Sequence, residues 1–443
     1  MNGFVACLGD LDAGSKISVM LRALQDRAKK GFGIISNGQI EECRDPSEFS
    51  DSGYNNAIGY AVSSVRDKQF SSGVFHGEIF GPDNESHYLE EITQESLGID
   101  NLCSKLRCID GTFAFMFLTP NGAVIARDPM GIRPLYIARS GKTLFLATEF
   151  KAFTAIGLTG WDNFPPGTVV SYDQLSSKKL TFSSINFSDS EVPQTNRRLL
   201  SLIESSIRTR AAYIGREVAV AFSGGIDSVL LTSLLSKFCT VHPICVSAPG
   251  SQDELNATRA AAILGLDLDL VRIENSTIPL ISQEVSRMIE VEGLMNLSIG
   301  IVLHEAARRA HEAGFSHIVL GQLADELYGG YSKYLALRDD SKRLRRTLYD
   351  DVANAHVGNF ERDDKTTAPF VRTIVPYAYV PLVKFSLRMP LESKIDSENG
   401  QRKKCLREAA IVAGVPQELA LLDKKAMQYG SGVQKLVSKL QGF

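Results

Sequence analysis

The chain has 443 residues, a net charge of -3, and hydrophobic and charged fractions of 44% and 22%. That length exceeds one ordinary hydrophobic core and suits two domains, and the composition is that of a soluble globular protein. Near-neutral charge gives no broad attraction to nucleic acid or anionic membrane, and seven scattered cysteines with no Cys-x-x-Cys pair argue for free thiols over a disulfide or zinc framework.

The N-terminal stretch Met1 to Cys7 has no basic region and no long apolar run, so a signal peptide is not expected. No apolar stretch is long enough to span a bilayer, and a cytoplasmic location is the expectation. Up to about residue 182 the pattern is one of short strands and turns. Thr112 to Leu118 and Ala123 to Ala126 flank Thr119-Pro120-Asn121-Gly122, and Pro134 to Ala138 and Thr143 to Ala147 flank Arg139-Ser140-Gly141-Lys142. Both read as antiparallel hairpins, with Ile17 to Lys29 as one of few helix candidates. Residues 183–197 are polar, carry a proline and read as a linker.

From 198 to 443 strands alternate with helices. Strand signals at Glu217 to Phe222, Val241 to Ser247, Asp267 to Ile273 and His317 to Leu320 are separated by helical signals at Ser228 to Phe238, Glu254 to Leu264 and Leu303 to Ala313. That alternation implies a parallel sheet covered on both faces, with a mostly helical part after Asp325.

The first strand of this half runs into Ser223-Gly224-Gly225-Ile226-Asp227-Ser228 and then a helix. Adjacent glycines let the backbone curl with its N–H groups exposed, the helix N-terminus adds positive potential, and Ser223 and Ser228 offer hydroxyls to phosphate oxygens. Asp227 is out of place beside phosphates unless Mg²⁺ lies between them. A Ser/Gly turn capped by Asp227 is the bland alternative. No Gly-Lys-Ser/Thr follows, so this is not a Walker loop. A second strand–turn–helix string, Gly321-Gln322-Leu323-Ala324-Asp325-Glu326-Leu327-Tyr328-Gly329-Gly330-Tyr331, offers Asp325 as a second metal carboxylate.

The first string resembles the phosphate loop of the ATP-pyrophosphatase family, which cleaves ATP between the α- and β-phosphates. The second resembles the asparagine synthetase family's Gly-Glu-Gly-Ser/Ala-Asp-Glu-x-x-Gly-Gly-Tyr, departing from it at Gln322 and Leu323. Ser251-Gln252-Asp253 resembles the family's Ser-x-Asp segment beside the nucleotide, Glu290 falls where the family has an acid near the acceptor, and Lys425 matches the lysine before its Gln-Phe/Tyr-x-x-Gly-Val. The stretches Ile109 to Phe115, Ala126 to Tyr136 and Phe164 to Gly167 resemble the family's class II glutaminase domain.

This resemblance implies an α+β antiparallel sandwich of Ntn-hydrolase type over residues 1–182, followed by an α/β parallel-sheet ATP-pyrophosphatase domain with a helical C-terminal part over 198–443. It implies Lys425 and Glu290 as catalytic groups, with Lys424 competing for the role of Lys425. Ser223, Gly224, Gly225, Asp227, Ser228, Ser251, Asp253 and Gly321 would contact ATP and pyrophosphate. Gln322 and Glu326 would face the substrate, Asp227 and Asp325 would bind Mg²⁺, and ATP and Mg²⁺ are the implied cofactors. The partners implied are a small carboxylic acid (aspartate foremost) and ammonia or an amine; a homodimer is left open.

The glutaminase chemistry requires a cysteine directly after the initiator Met, but position 2 is Asn2. The family's Asn-Gly-Glu reads His76-Gly77-Glu78, and its Arg-Gly-Pro-Asp loop has no counterpart near Arg44-Asp45-Pro46 or Ser50-Asp51-Ser52-Gly53. The expectation is therefore a degenerate glutaminase domain, with Cys7 a core thiol. Arg372-Thr373-Ile374-Val375-Pro376 also departs from the family's Glu-x-Arg-x-Pro. Asparagine formation from aspartate, ATP and ammonia is the leading expectation. An amide ligase or cyclase resembling the β-lactam synthetases, and a non-catalytic regulatory paralogue, remain open.

Overall fold

The computed structural model describes residues 3–49, 54–62, 69–70, 72–81, 88–89, 91–92, 98–120, 122–173, 177–193, 195–290, 292–396, 399–422 and 427–440. Asn2, the Ser50 to Gly53 segment, Lys424 and Lys425 lie outside them. The chain divides into two compact units, Met1–Ser184 and Ile185–Phe443.

The first unit is built from strands β1 (Phe4–Leu8), β2 (Gly31–Ser36), β3 (Gln39–Cys43), β4 (Asn56–Val62), β5 (Gln69–Phe70), β6 (Gly73–Phe80), β7 (Asp110–Thr119), β8 (Gly122–Arg127), β9 (Tyr136–Ser140), β10 (Thr143–Ala147), β11 (Asp162–Asn163), β12 (Thr168–Asp173) and β13 (Ser177–Thr181). They form a seven-stranded sheet in the order β11-β9-β10-β1-β4-β2-β3 and a six-stranded sheet in the order β13-β12-β8-β7-β6-β5. The two hairpins expected from alternation are present as β7–β8 and β9–β10, both antiparallel.

Side-chain alternation assigns each face. Phe4, Ala6 and Leu8 of β1 join Ala114 and Met116 of β7 in the core between the sheets, while Val5 and Cys7 pack under the helix Ala13–Arg22. Phe113, Phe115 and Phe117 turn the other way, toward the helix Ile99–Leu106. The result is helix, sheet, sheet, helix. The expected helix at Ile17 to Lys29 begins earlier and stops at Arg22, with a short 3-10 turn over Gln25–Arg27.

The second unit carries β14 (Glu217–Ala221), β15 (Thr240–Ser247), β16 (Asp269–Arg272), β17 (His317–Val319) and β18 (Arg372–Ile374) in the order β16-β15-β14-β17-β18, every pair parallel. Ala219, Ile244, Ile318 and Leu320 bury against Ile301, Leu303 and Ala307 of the long helix Leu294–Glu312. β14 and β17 are direct neighbours, with Ala219 opposite Ile318 and Val220 opposite Val319. The two loops that follow them therefore leave the same sheet edge side by side.

Candidate active site

Between β14 and the helix Ile226–Leu235, Gly224 adopts φ +68, and a Cβ there would collide with the Asn256 backbone. Only glycine suits that combination of backbone and space. Ser228 Oγ donates to the Gly225 carbonyl at 3.0 Å and lies 3.4 Å from the Ser223 amide. The loop is thus tied to its own helix, with Asp227 in the first turn.

The second loop reaches Asp227 directly. A Cβ on Gly321 would sit 3.2 Å from the Asp227 Cβ. Beyond it Leu323 takes φ +74, a left-handed conformation unusual for leucine, before the helix Ala324–Tyr328 begins. Lys403, also at positive φ, places Nζ 2.5 Å from Asp227 Oδ2 and 2.8 Å from Asp325 Oδ1. Gly330 leaves room for this bridge, since a Cβ there would collide with both Asp325 and Lys403. Burial works to lower the Lys403 pKa, but the charges and hydrogen bonds of Asp227 and Asp325 outweigh it and raise it.

Ser223, Asp227, Ser228, Gly321, Gln322 and Asp325 line one pocket together with Tyr331, Asn359 and Arg362. Glu326 lies just behind it, accepting from Tyr331 Oη at 2.7 Å and Asn359 Nδ2 at 2.8 Å. Burial, then the charge of Asp325, pushes its carboxyl up to about 7. Gln322 Nε2 donates to Asp363 Oδ2 at 2.5 Å. Asp363 belongs to the helix Asn359–Thr367, whose residues from Phe360 to Thr367 are all buried although most are charged or polar. Burial pushes the Asp363 carboxyl upward, opposed by the charge of Arg362 and the Gln322 hydrogen bond.

Other expected site residues stand elsewhere. Ser251 caps the helix Gln252–Leu264 by accepting from the Glu254 amide. Asp253 is buried, and a Cβ on Gly430 would collide with its carboxylate, so it faces the segment after Lys425. Glu290 ends the helix Ile278–Ile289 at φ +55, ion-paired with Lys365, which also pairs with Glu361; it does not line the pocket.

The described residues contain no cluster of three or more His, Cys, Asp and Glu side chains suited to a metal. Asp227 and Asp325 nevertheless fit a divalent cation. Both supply hard oxygen donors within reach of one ammonium, and Asp227 Oδ1 is buried with no hydrogen-bond partner among the described residues.

Residues 198–343 and 336–442 match the asparagine synthase family, over half of the chain. The chain belongs to the asparagine synthase family. Residues 77–155 match a glutamine amidotransferase domain. Among asparagine synthetases, the chain is similar to the putative glutamine-hydrolysing asparagine synthetase 1 of Methanocaldococcus jannaschii, at 26% identity over 83% of this chain and 79% of that protein. It is similar to the glutamine-hydrolysing asparagine synthetase B of Escherichia coli at 21% identity over 73% of this chain and 62% of that protein. Across eight such relatives, these two among them, the chain spans from 48% to 79% of their length. Glutamine phosphoribosylpyrophosphate amidotransferase of B. subtilis superposes with a TM-score of 0.34 at 17% identity, over 72% of this chain and 81% of that one, too loosely to bear on function.

Lys403 and Arg362 were not read from sequence as site residues of this asparagine synthase domain. Arg402-Lys403-Lys404 looks like an ordinary solvated basic run, and Asn359 to Lys365 like an exposed helix face. The Gly329-Gly330 pair was the one available hint, because adjacent glycines mark a close approach.

Proposed function

We propose that this chain is an ATP-dependent amide-forming ligase that adenylates a carboxylate, foremost the side chain of aspartate, and transfers ammonia to it, releasing AMP and pyrophosphate without hydrolysing glutamine. The observation that carries this reading is the meeting of the Ser223–Ser228 loop and the Asp325 loop in one pocket at the edge of two adjacent parallel strands. The curled loop and the helix Ile226–Leu235 present N–H groups and hydroxyls to phosphates. Lys403, a buried cation tied to Asp227 and Asp325, would balance the charge of these two pocket carboxylates. Asp227 and Asp325 would hold Mg²⁺, which when bound neutralises charge on the triphosphate. Lys425, at its place in the family motif, would stabilise charge on the α-phosphate, while Ser251 and Asp253 would flank the nucleotide.

The first unit supports a scaffold role for a degenerate glutaminase domain. Cys7 lies fully buried in mid-strand, and burial, then Asp10, pushes its thiol up to about 12. His76 replaces the asparagine of the oxyanion signature inside β6, and Glu78 two residues on is held by Arg133 and Thr112. A second reading, a ligase or cyclase acting on a different acid and amine, is favoured by Ile374, wholly buried where the family carries arginine.

Pyrophosphate release measured across a panel of acids, with and without ammonium, tests the proposal. Release that needs both aspartate and ammonium is the expected result. Release only with another acid would replace aspartate, and no release with any acid would end the ligase reading.

A further inference from the structure

Gln322 stands where the family loop carries glutamate, so a negative charge is missing from the acceptor side of the pocket. The neighbouring helix supplies one. Asp363 Oδ2 accepts from Gln322 Nε2 at 2.5 Å, and Asp363 Oδ1 accepts from Arg362 Nε at 3.1 Å and Nη2 at 2.8 Å. Arg362 Nη1 donates to Asn296 Oδ1 at 3.2 Å. Gln322 and Arg362 line the pocket, while Asp363 is buried behind them.

Three N–H donors converge on the two oxygens of Asp363, which is the arrangement an ionised carboxylate satisfies. A carboxylate can only accept, so the Gln322 amide nitrogen must face Asp363 and its carbonyl oxygen must face away. Arg362 is likewise held by two bonds to Asp363 and one from Nη1 to Asn296, leaving one N–H on Nη1 and one on Nη2 for a substrate anion. Reach also matters. Both side chains bond the same carboxylate, so they stand close enough together to be read by one small zwitterionic head.

We propose that Asp363 is a positioning residue for the acceptor acid, a carboxylate transferred from the loop to the adjacent helix that aims Arg362 at the acid's spare carboxylate and the Gln322 carbonyl oxygen at its amino N–H. This rests on the ligase reading above and deepens it. It also makes positions 322 and 363 interdependent. Glutamate at 322 would set two carboxylates against each other, and asparagine at 363 would lose the anion that Arg362 clamps.

A charge exchange tests this in the full chain, by pyrophosphate release with saturating MgATP and ammonium. Gln322→Glu and Asp363→Asn should each raise KM for L-aspartate by about tenfold or more, the worth of one charge-assisted hydrogen bond, with KM for ATP changed by no more than about twofold. The double variant Q322E/D363N should recover part of that loss, because it restores one carboxylate facing one carboxamide while Arg362 still lacks its anion. A folded double variant no better than the worse single variant would overturn the proposal, as would single variants with unchanged KM for the acid.

The wild-type protein supplies a second measurement that requires no variant. Replacing L-aspartate by its α-carboxamide, with the side-chain carboxylate intact, removes the anion that Arg362 faces and should raise KM comparably; equal values would overturn the proposal. A wild-type chain inactive with every acid fails at the ligase reading itself, whereas an active wild type without rescue fails at Asp363 alone.

Discussion

Lys403 holds a buried ammonium between Asp227, 10% exposed, and Asp325, 32% exposed, so its removal leaves a buried carboxylate without its cation beside a second one that water reaches. Lys403→Met should destabilise the protein by about 2–3 kcal/mol in urea unfolding, below the cost of breaking a fully buried ion pair because water reaches Asp325. By contrast Arg259 and Glu418 are both more than half exposed, and Arg259→Ala should cost less than about 1 kcal/mol. A similar contrast holds for cysteines. Cys108 is exposed and Cys7 fully buried with a raised pKa, so maleimide at pH 8 should label Cys108 in the folded protein and Cys7 only on unfolding; mass spectrometry of peptides reads this directly. The loop residues were legible because a strand, a glycine turn and a helix lie contiguous in the chain. Lys403 was not, because its bond to Asp227 joins positions 176 residues apart and nothing local marks it.

At the scale of elements, the left-handed Leu323 sets burial against backbone strain. Leu323 is 2% exposed, so any truncation opens a cavity worth about 2–5 kcal/mol. Alanine would keep the strained φ of +74 and glycine would relieve it by about 1 kcal/mol. Leu323→Gly should therefore be less destabilising than Leu323→Ala, the reverse of the order at an ordinary core site, as chemical unfolding midpoints can show. Within the helix Leu294–Glu312, burial alone would raise the Glu305 carboxyl, but hydrogen bonds from His304 and Arg308 outweigh it and hold it down at about 2. The unfolded chain takes up this proton first as pH falls, so the contribution is complete above about 4.5 and is lost on acidification toward 2. Glu305→Gln should flatten the stability–pH curve over that window, by on the order of 2 kcal/mol after allowing for solvent around Arg308. The hairpins and the parallel strands were readable from alternation and spacing. The helix Asn359–Thr367 was not readable as buried: charges usually mean water, and here Lys365 with Glu290 and Arg362 with Asp363 neutralise each other inside. The three-residue β18 is too short to leave a periodic signal.

At the scale of the whole molecule, each unit closes its own core, and the chemistry proposed here belongs to the second. The first keeps the strand framework of an amidotransferase, so the question is whether its strand thiols, Cys7 of β1 and Cys43 of β3, can attack glutamine. Attack needs a thiolate, which requires exposure and a lowered pKa. Cys7 packs among Val5, Ile17 and Phe145 under the helix Ala13–Arg22, and its thiol is raised to about 12. Cys43 is only half-buried, yet burial and then the charges of Glu48 and Asp45 raise it to about 11. With saturating MgATP and the accepted acid at pH 8, ammonium should sustain AMP and pyrophosphate formation. Glutamine freed of ammonia should add nothing above background, and coupled detection with glutamate dehydrogenase should find no glutamate. Glutamate production that disappears in Cys7→Ala would reverse this conclusion, since it would require the strand holding Cys7 to open and deliver a thiolate that the folded core disfavours.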